Sequence, residues 1–147
     1  MALLDGQVAL VSGIGPGMGR DLALAFARHG ADVVLTARTA SRVEAVADEV
    51  RALGRRALAL PGSAADEADC KRIIAAAEAE LGRIDCLVNN AFQQPPFEML
   101  EAQTLDTVRA SFEINLFAAL RLSQLAVPIM HRAGGGTFEA HRLRHGR

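Results

Sequence analysis

The chain has no tyrosine and no tryptophan, and Lys71 is the single lysine among its 147 residues. It therefore has no phenol to give or take a proton and almost no amine chemistry. It has no excess of either charge: 16 basic and 17 acidic residues leave a net −1, which makes no electrostatic case for nucleic acid or an anionic membrane as partner. Its two cysteines, Cys70 and Cys86, stand apart with no C-x-x-C or Cys/His spacing. They read as ordinary thiols, and no metal site is expected. No apolar run reaches the ~18 residues of a membrane span, and the N-terminus has no basic stretch followed by an apolar one. A soluble, cytoplasmic protein with no membrane partner is the expectation.

What is present is a half-apolar chain (50%) long enough for one domain with its own core. Short apolar runs alternate with helical periodicity. Strands are expected over 7–12, 32–36, 56–60 and 85–89. Helix A should start near Met18 and bury Met18, Leu22, Ala25, Phe26 and His29, stopping at Gly30. Helix B should start at a Ser41/Glu44 capping box and bury Val43, Val46, Ala47, Val50 and Leu53. Helix C, capped by Asp66, shows Cys70, Ile73, Ile74, Ala77 and Leu81 on one face and stops at Gly82. After a loop with Pro95-Pro96 comes a long helical stretch over 105–131, with a break near its middle and Pro128 disturbing its last turn. This β-α alternation predicts an α/β fold: a doubly wound parallel sheet of order 3-2-1-4 with helices on both faces, an incomplete Rossmann arrangement.

The strongest local signal is Ser12-Gly13-Ile14-Gly15-Pro16-Gly17-Met18-Gly19, set between strand 1 and helix A. Glycines let the backbone approach an anion, and the free N–H groups of a helix start point at it. The spacing does not satisfy G-x-G-x-x-G in either register. It fits Ser-Gly-x-x-x-Gly-x-Gly.

That loop resembles the T-G-x-x-x-G-x-G loop of the short-chain dehydrogenase/reductase family, with Ser for Thr. Asn89-Asn90-Ala91-Phe92 resembles the family's N-N-A-G after strand 4, with Phe for Gly. Phe112-Glu113-Ile114-Asn115 resembles its next helix. The resemblance runs from about Asp5 to Thr137 and covers the front part of the family's domain. It implies NAD(P)(H)-dependent hydride transfer between an alcohol and a carbonyl. By position, Ser12, Gly13, Gly15, Gly17, Met18 and Gly19 would cradle the cofactor. Asn89, Asn90 and Ala91 would tighten strand 4 and line the nicotinamide ribose, although Asn90 also fits a plain turn asparagine.

The residue that reads the adenosine ribose lies at the end of strand 2. No acid occurs over 33–43, and Arg38 stands where a 2′-phosphate could be met. NADP(H) is therefore favoured over NAD(H), against the alternative of an exposed loop arginine. Ser63 falls where the family commonly has an Asp beside the adenine, so that contact is altered. Asn115 sits on the stripe expected to be buried. The resemblance makes it a proton-relay position, and a local helix break with its amide bonded to backbone is the other reading.

The family's chemistry needs a Ser, a Tyr and a Lys four residues after the Tyr. A phenol must have its pKa lowered by a neighbouring cation to act near neutral pH. None of the three is found here: there is no Tyr, Lys71 lies on helix C, and the Ser position falls near Leu143. After Gly134-Gly135-Gly136-Thr137 the apolar pattern is lost, and three Arg and two His fall over 138–147. The expected division is thus a cofactor-binding domain over 1–137 and a basic, disordered tail over 138–147, read as the end of a frameshifted or truncated gene. Strand 4 would then be a sheet edge, with Cys86, Leu87 and Val88 poorly covered. It and the 105–131 helix would offer surfaces for self-association. Two functions follow: an oxidoreductase lineage reduced to its cofactor-binding part, with a small carbonyl or alcohol substrate once the missing part is supplied, or a non-catalytic nucleotide- or partner-binding remnant.

Overall fold

Strand β1 (Val8–Ser12), β2 (Asp32–Thr36) and β4 (Cys86–Asn89) are almost wholly buried along their lengths, as strands covered on both faces must be. In the computed structural model, which describes residues 2–94 and 96–140, β3 (Ala57–Ala59) and β5 (Thr137–Ala140) complete a five-stranded sheet of order β3-β2-β1-β4-β5. Every pairing is parallel. The helices are α1 (Met18–Arg28), α2 (Ala40–Ala52), α3 (Glu67–Leu81), α4 (Leu105–Phe112) and α5 (Ala118–Arg132).

Successive strand residues feed opposite faces. Val8, Leu10, Val34 and Leu87 pack against Cys70, Ile73 and Ala77 of α3 and Leu122, Ala126 and Ile129 of α5. Val11, Val33, Leu35 and Val88 pack against α1 and α2. Each fully buried Leu or Val of these layers contributes about 1.5–3 kcal/mol. The α/β doubly wound architecture is therefore as the sequence implies. The faces of α2 and α3 also match, except that Leu53 is exposed. Asp66 caps α3 by accepting from the Asp69 amide, and Gly82 ends it at φ +78°.

Four expectations are corrected. First, the inner face of α1 is Gly19, Ala23, Leu24 and Ala27; Met18 is 52% exposed and His29 lies outside the core. Leu24 is the one large residue of that face, set among Gly19, Ala23 and Ala27, while Leu22 and Phe26 are partly buried against the same core. Second, α2 begins one residue before Ser41, with Thr39 at the N-cap and no side-chain cap bond. The short link from β2 already has its carbonyl at Thr39 in place to accept from the Arg42 and Val43 amides. Third, β4 is not an edge. Residues 138–140, expected to begin a disordered tail, continue β5 from Thr137, with Leu87 opposite Phe138 and Asn89 opposite Ala140. Strand pairing uses backbone groups, so the polar side chains of this stretch did not prevent it. The outer edge of the sheet is that of β5, all four of whose residues are exposed. The remainder of the expected tail, 141–147, lies outside the described residues.

Fourth, Asn115 is exposed rather than buried; the break expected near the middle of the long helix is a π-helical turn over Glu113–Phe117, and the Asn115 amide is bonded to backbone, as the alternative reading had it. By length and composition the stretch Leu105–Arg132 is apolar enough to cross a membrane. Its inner side is instead taken by the sheet and α3, through Ala118, Leu122, Ala126, Ile129 and Met130. On its other side, and in the loop before it, Phe97, Met99, Leu100 and Leu105 are 93, 73, 84 and 70% exposed. The two cysteines are unpaired, Cys70 buried and Cys86 half-buried, and burial pushes both thiols up from their ordinary pKa.

Candidate functional site

The glycine loop leaves β1 at its C-terminal end, where a doubly wound sheet opens its ligand crevice. Gly13 turns the chain at φ +77°. A Cβ there would stand 2.5 Å from the Ala91 nitrogen and 2.6 Å from its Cα. A Cβ at Gly19 would stand 2.5 Å from the Gly13 carbonyl oxygen. These two glycines are demanded by the chain's own packing. Gly15 and Gly17 have open space in front of them, with nothing within 4 Å of a built Cβ. Just beyond, α1 begins at Met18 with the positive end of its dipole towards the loop, and the Arg20 and Asp21 amides close its first turn on the Gly17 carbonyl.

A second turn, after β4, is laced to the first. The Asn90 side-chain amide donates to the Gly13 carbonyl at 2.9 Å. Ser12 Oγ donates to the Val88 carbonyl at 3.2 Å and accepts from the Ala91 amide at 3.4 Å. Asn115 then clasps the same turn further on. Its Oδ1 accepts from the Gln93 amide and its Nδ2 donates to the Gln93 carbonyl, both at 2.9 Å, while Nδ2 also donates to Ser111 Oγ at 3.1 Å. Asn89 Nδ2 donates to Ser123 Oγ at 3.3 Å.

Between these turns and the ends of β2 and β3 lies an open cleft of about 250 Å³. Its walls bring together Ser12, Gly13, Arg38, Ser63, Asn90 and Ala91 from among the residues singled out in the sequence. Gly15, Gly17, Met18 and Gly19 are not part of its lining; they sit beside it in the loop and at the start of α1. Asn89 lines a separate small recess of about 10 Å³ with Ser12 and Ala91. Asn115 reaches the cleft only through Gln93, which does line it.

Phe92 and Gln93, which follow the asparagine motif, line the cleft too, while Thr36, Thr39, Arg42 and Ile114 were missed in the sequence. Arg42 could have been found as the second cation within one helical turn of Arg38. Ile114 carried no signal, because its approach depends on the π-helical turn. The wall at Ser63 is set by α3: Asp69 accepts from the Ser63 amide at 2.8 Å, and Ser63 Oγ accepts from the Ala65 amide at 3.3 Å. The Arg72 guanidinium, with the Ser63 amide, holds the Asp69 carboxyl below its usual range. Arg121 of α5 reaches the carbonyls of Ala64 and Ala65 and the Glu113 carboxylate, joining this wall to the π-helical turn.

The cleft's chemistry fits a polar, anionic ligand. No carboxylate lines it, while two guanidinium groups do. Thr36, 3% exposed, lines it with a hydroxyl that has no partner, and the buried Asn89 Oδ1 has none either. Buried polar atoms without partners are rare in folded chains, and a ligand is one way to satisfy them. Among the described residues, no three His, Cys, Asp or Glu side chains cluster to hold a metal ion.

A family model described as short chain dehydrogenase matches residues 7–138. The chain is 37% identical over 137 residues to the 7alpha-hydroxysteroid dehydrogenase of Escherichia coli K12, covering 92% of this chain and 52% of that protein. Among solved structures, a 7 alpha-hydroxysteroid dehydrogenase complexed with NADH and 7-oxo glycochenodeoxycholic acid superposes with a TM-score of 0.86 at 36% identity, covering 93% of this chain and 53% of that one. A metagenomic short-chain oxidoreductase in complex with NADP gives a TM-score of 0.87 at 31% identity, covering 93% and 62%. The chain spans about half the length of the curated relatives it matches.

Proposed function

We propose, for a chain that belongs to the short-chain dehydrogenase family, that its part in an oxidoreductase is to bind and orient NADP(H). The observation that carries this reading is the charge of the cleft: Arg38 and Arg42 on its wall and no carboxylate to repel a phosphate. When bound, the nicotinamide cofactor supplies or accepts the hydride exchanged between an alcohol and a carbonyl. The chain's own residues do the holding. The loop from Ser12 to Gly19 and the start of α1 receive the pyrophosphate. Asn89, Asn90 and Ala91 would line the nicotinamide ribose, Ser63 would lie towards the adenine, and Arg38 would meet the 2′-phosphate. Asn115 is the proton-relay position, with its amide fixed on Gln93.

A second reading, nucleotide binding without turnover by this chain, is favoured by one fact. There is no tyrosine, and the single lysine, Lys71, is exposed on α3 in an ion pair with Glu67. A second copy of the chain could cover the exposed apolar side of α4 and α5, and self-association belongs to either reading.

The test is a thermal shift with NADPH and with NADH, beside an NADPH-oxidation assay over a panel of carbonyl compounds. A larger shift with NADPH is expected. Equal shifts would remove Arg38's role, and no shift with either would remove the nucleotide reading. Turnover by this chain alone would refute the second reading.

A further inference from the structure

We infer that Arg42 is a second specificity-determining residue of the cleft, closing with Arg38 on the 2′-phosphate of NADP(H). The inference rests on the nucleotide reading above and adds to it a residue from a different element. Arg38 lies on the link after β2, and Arg42 lies in the first turn of α2, one helical turn further on. Both line the cleft.

Their neighbours explain why these two are available. This chain's arginines are mostly occupied: Arg20, Arg51, Arg83 and Arg121 each grip a carboxylate, and Arg56 and Arg72 hold backbone carbonyls. Among the described residues, Arg38 and Arg42 find no side-chain hydrogen bond and no ion pair. Two exposed cations lining one cleft, with no carboxylate among its lining residues, make a local positive potential that favours an anion there. Two further features point the same way. Thr39, at the N-cap of α2, spends no side-chain bond on its helix, and the helix start adds its own positive end. Thr36, nearly fully buried, brings an unpartnered hydroxyl to the same cleft.

A phosphate monoester has a second pKa near 6, so its charge rises toward −2 above that pH. Two guanidinium groups then gain more than one. The preference for NADPH over NADH should therefore grow between about pH 5 and pH 7.5 and shrink as salt is raised.

The experiment measures NADPH and NADH dissociation constants by cofactor fluorescence for the 147-residue chain and its Arg38→Gln, Arg42→Gln and Arg42→Lys variants. Far-UV dichroism confirms that each is folded, which exposed positions should allow. Arg42→Gln is expected to weaken NADPH about five- to tenfold and to change NADH less than about twofold, with a flatter pH dependence of the ratio. Arg42→Lys should restore part of the loss. If Arg42→Gln leaves the NADPH/NADH ratio unchanged while Arg38→Gln abolishes it, the inference about Arg42 falls and the nucleotide reading stands. If the unmodified chain binds both cofactors equally or neither, that reading falls and takes this inference with it.

Discussion

Replacing Gly13 by Ala separates two kinds of glycine within one loop. Gly13 sits at φ +77°, where an L-residue costs about 1–2 kcal/mol. The new methyl would also lie 2.5, 2.6 and 2.8 Å from Ala91 N, Ala91 Cα and the Asn90 carbonyl carbon, all backbone atoms. They cannot retreat without loosening the bonds from Asn90 to Gly13 and between Ser12 and Ala91. Forcing atoms into such a site costs a further ~1–3 kcal/mol. The sum, about 2–5 kcal/mol, is a large share of a domain's ~5–15 kcal/mol. With a urea slope of about 2 kcal/mol/M, the unfolding midpoint should fall by roughly 1–2.5 M. Gly15→Ala is the control: nothing lies within 4 Å of its Cβ and its φ is not positive. Its stability should stay within about 0.5 kcal/mol of the parent, a midpoint shift of about 0.25 M or less, while NADPH affinity falls because the methyl occupies the space left for the anion. The assay is urea denaturation followed by circular dichroism, beside cofactor fluorescence. A Gly13→Ala chain that unfolds at the parent's midpoint would refute the packing argument, and a Gly15→Ala chain that binds NADPH normally would refute the cradle.

Two further perturbations test other parts of the site. Asn115→Ala removes three exposed hydrogen bonds and should cost about 0.5–1.5 kcal/mol at most. Its sharper signature is faster hydrogen exchange at the Gln93 amide, and unchanged exchange there would show that the clasp holds nothing. Arg20 grips Glu49 through two nitrogens, which holds the Glu49 carboxyl below its usual range. A depressed pKa stabilises above the unfolded value and is lost as pH falls through the folded one. Glu49→Gln should therefore lower the urea midpoint slightly at pH 7, and the gap should begin to close below the ordinary carboxylate pKa and vanish once pH has fallen through the folded-state value. A gap that shows no decrease on acidification would mean that the contact is not electrostatic.

Most of the sheet was legible because buried parallel strands write themselves as short apolar runs. The faces of α2 and α3 were legible because large residues mark them. The face of α1 was not, since three of its four buried residues, Gly19, Ala23 and Ala27, are small, and the fourth, Leu24, lies off the stripe that Met18, Leu22 and Phe26 suggest. β5 was missed for a related reason: its four residues are all exposed, so no apolar alternation records a ladder built from backbone alone. In the site, the glycine spacing, the acid-free end of β2 and the asparagine turn were readable as local patterns. The cleft brings together Ser12, Gly13, Arg38, Ser63, Asn90 and Ala91. Arg42 was passed over in an arginine-rich sequence although it stands one helical turn after Arg38. Its place in the lining of the cleft is what the structure adds.

The π-helical turn at Glu113–Phe117 acts as a phase shift spliced into a rod. An α-helix advances about 100° per residue, and a wider turn consumes roughly one residue more before it resumes. The rod therefore runs in two angular frames. Within the splice, Asn115, held by Ser111 one turn earlier, addresses the Gln93 loop. After it, Leu122, Ala126 and Ile129 address the sheet. An uninterrupted helix of the same sequence could meet one of these partners but would turn its side chains away from the other. One surplus residue thus lets a single element brace the cleft wall and seal the core.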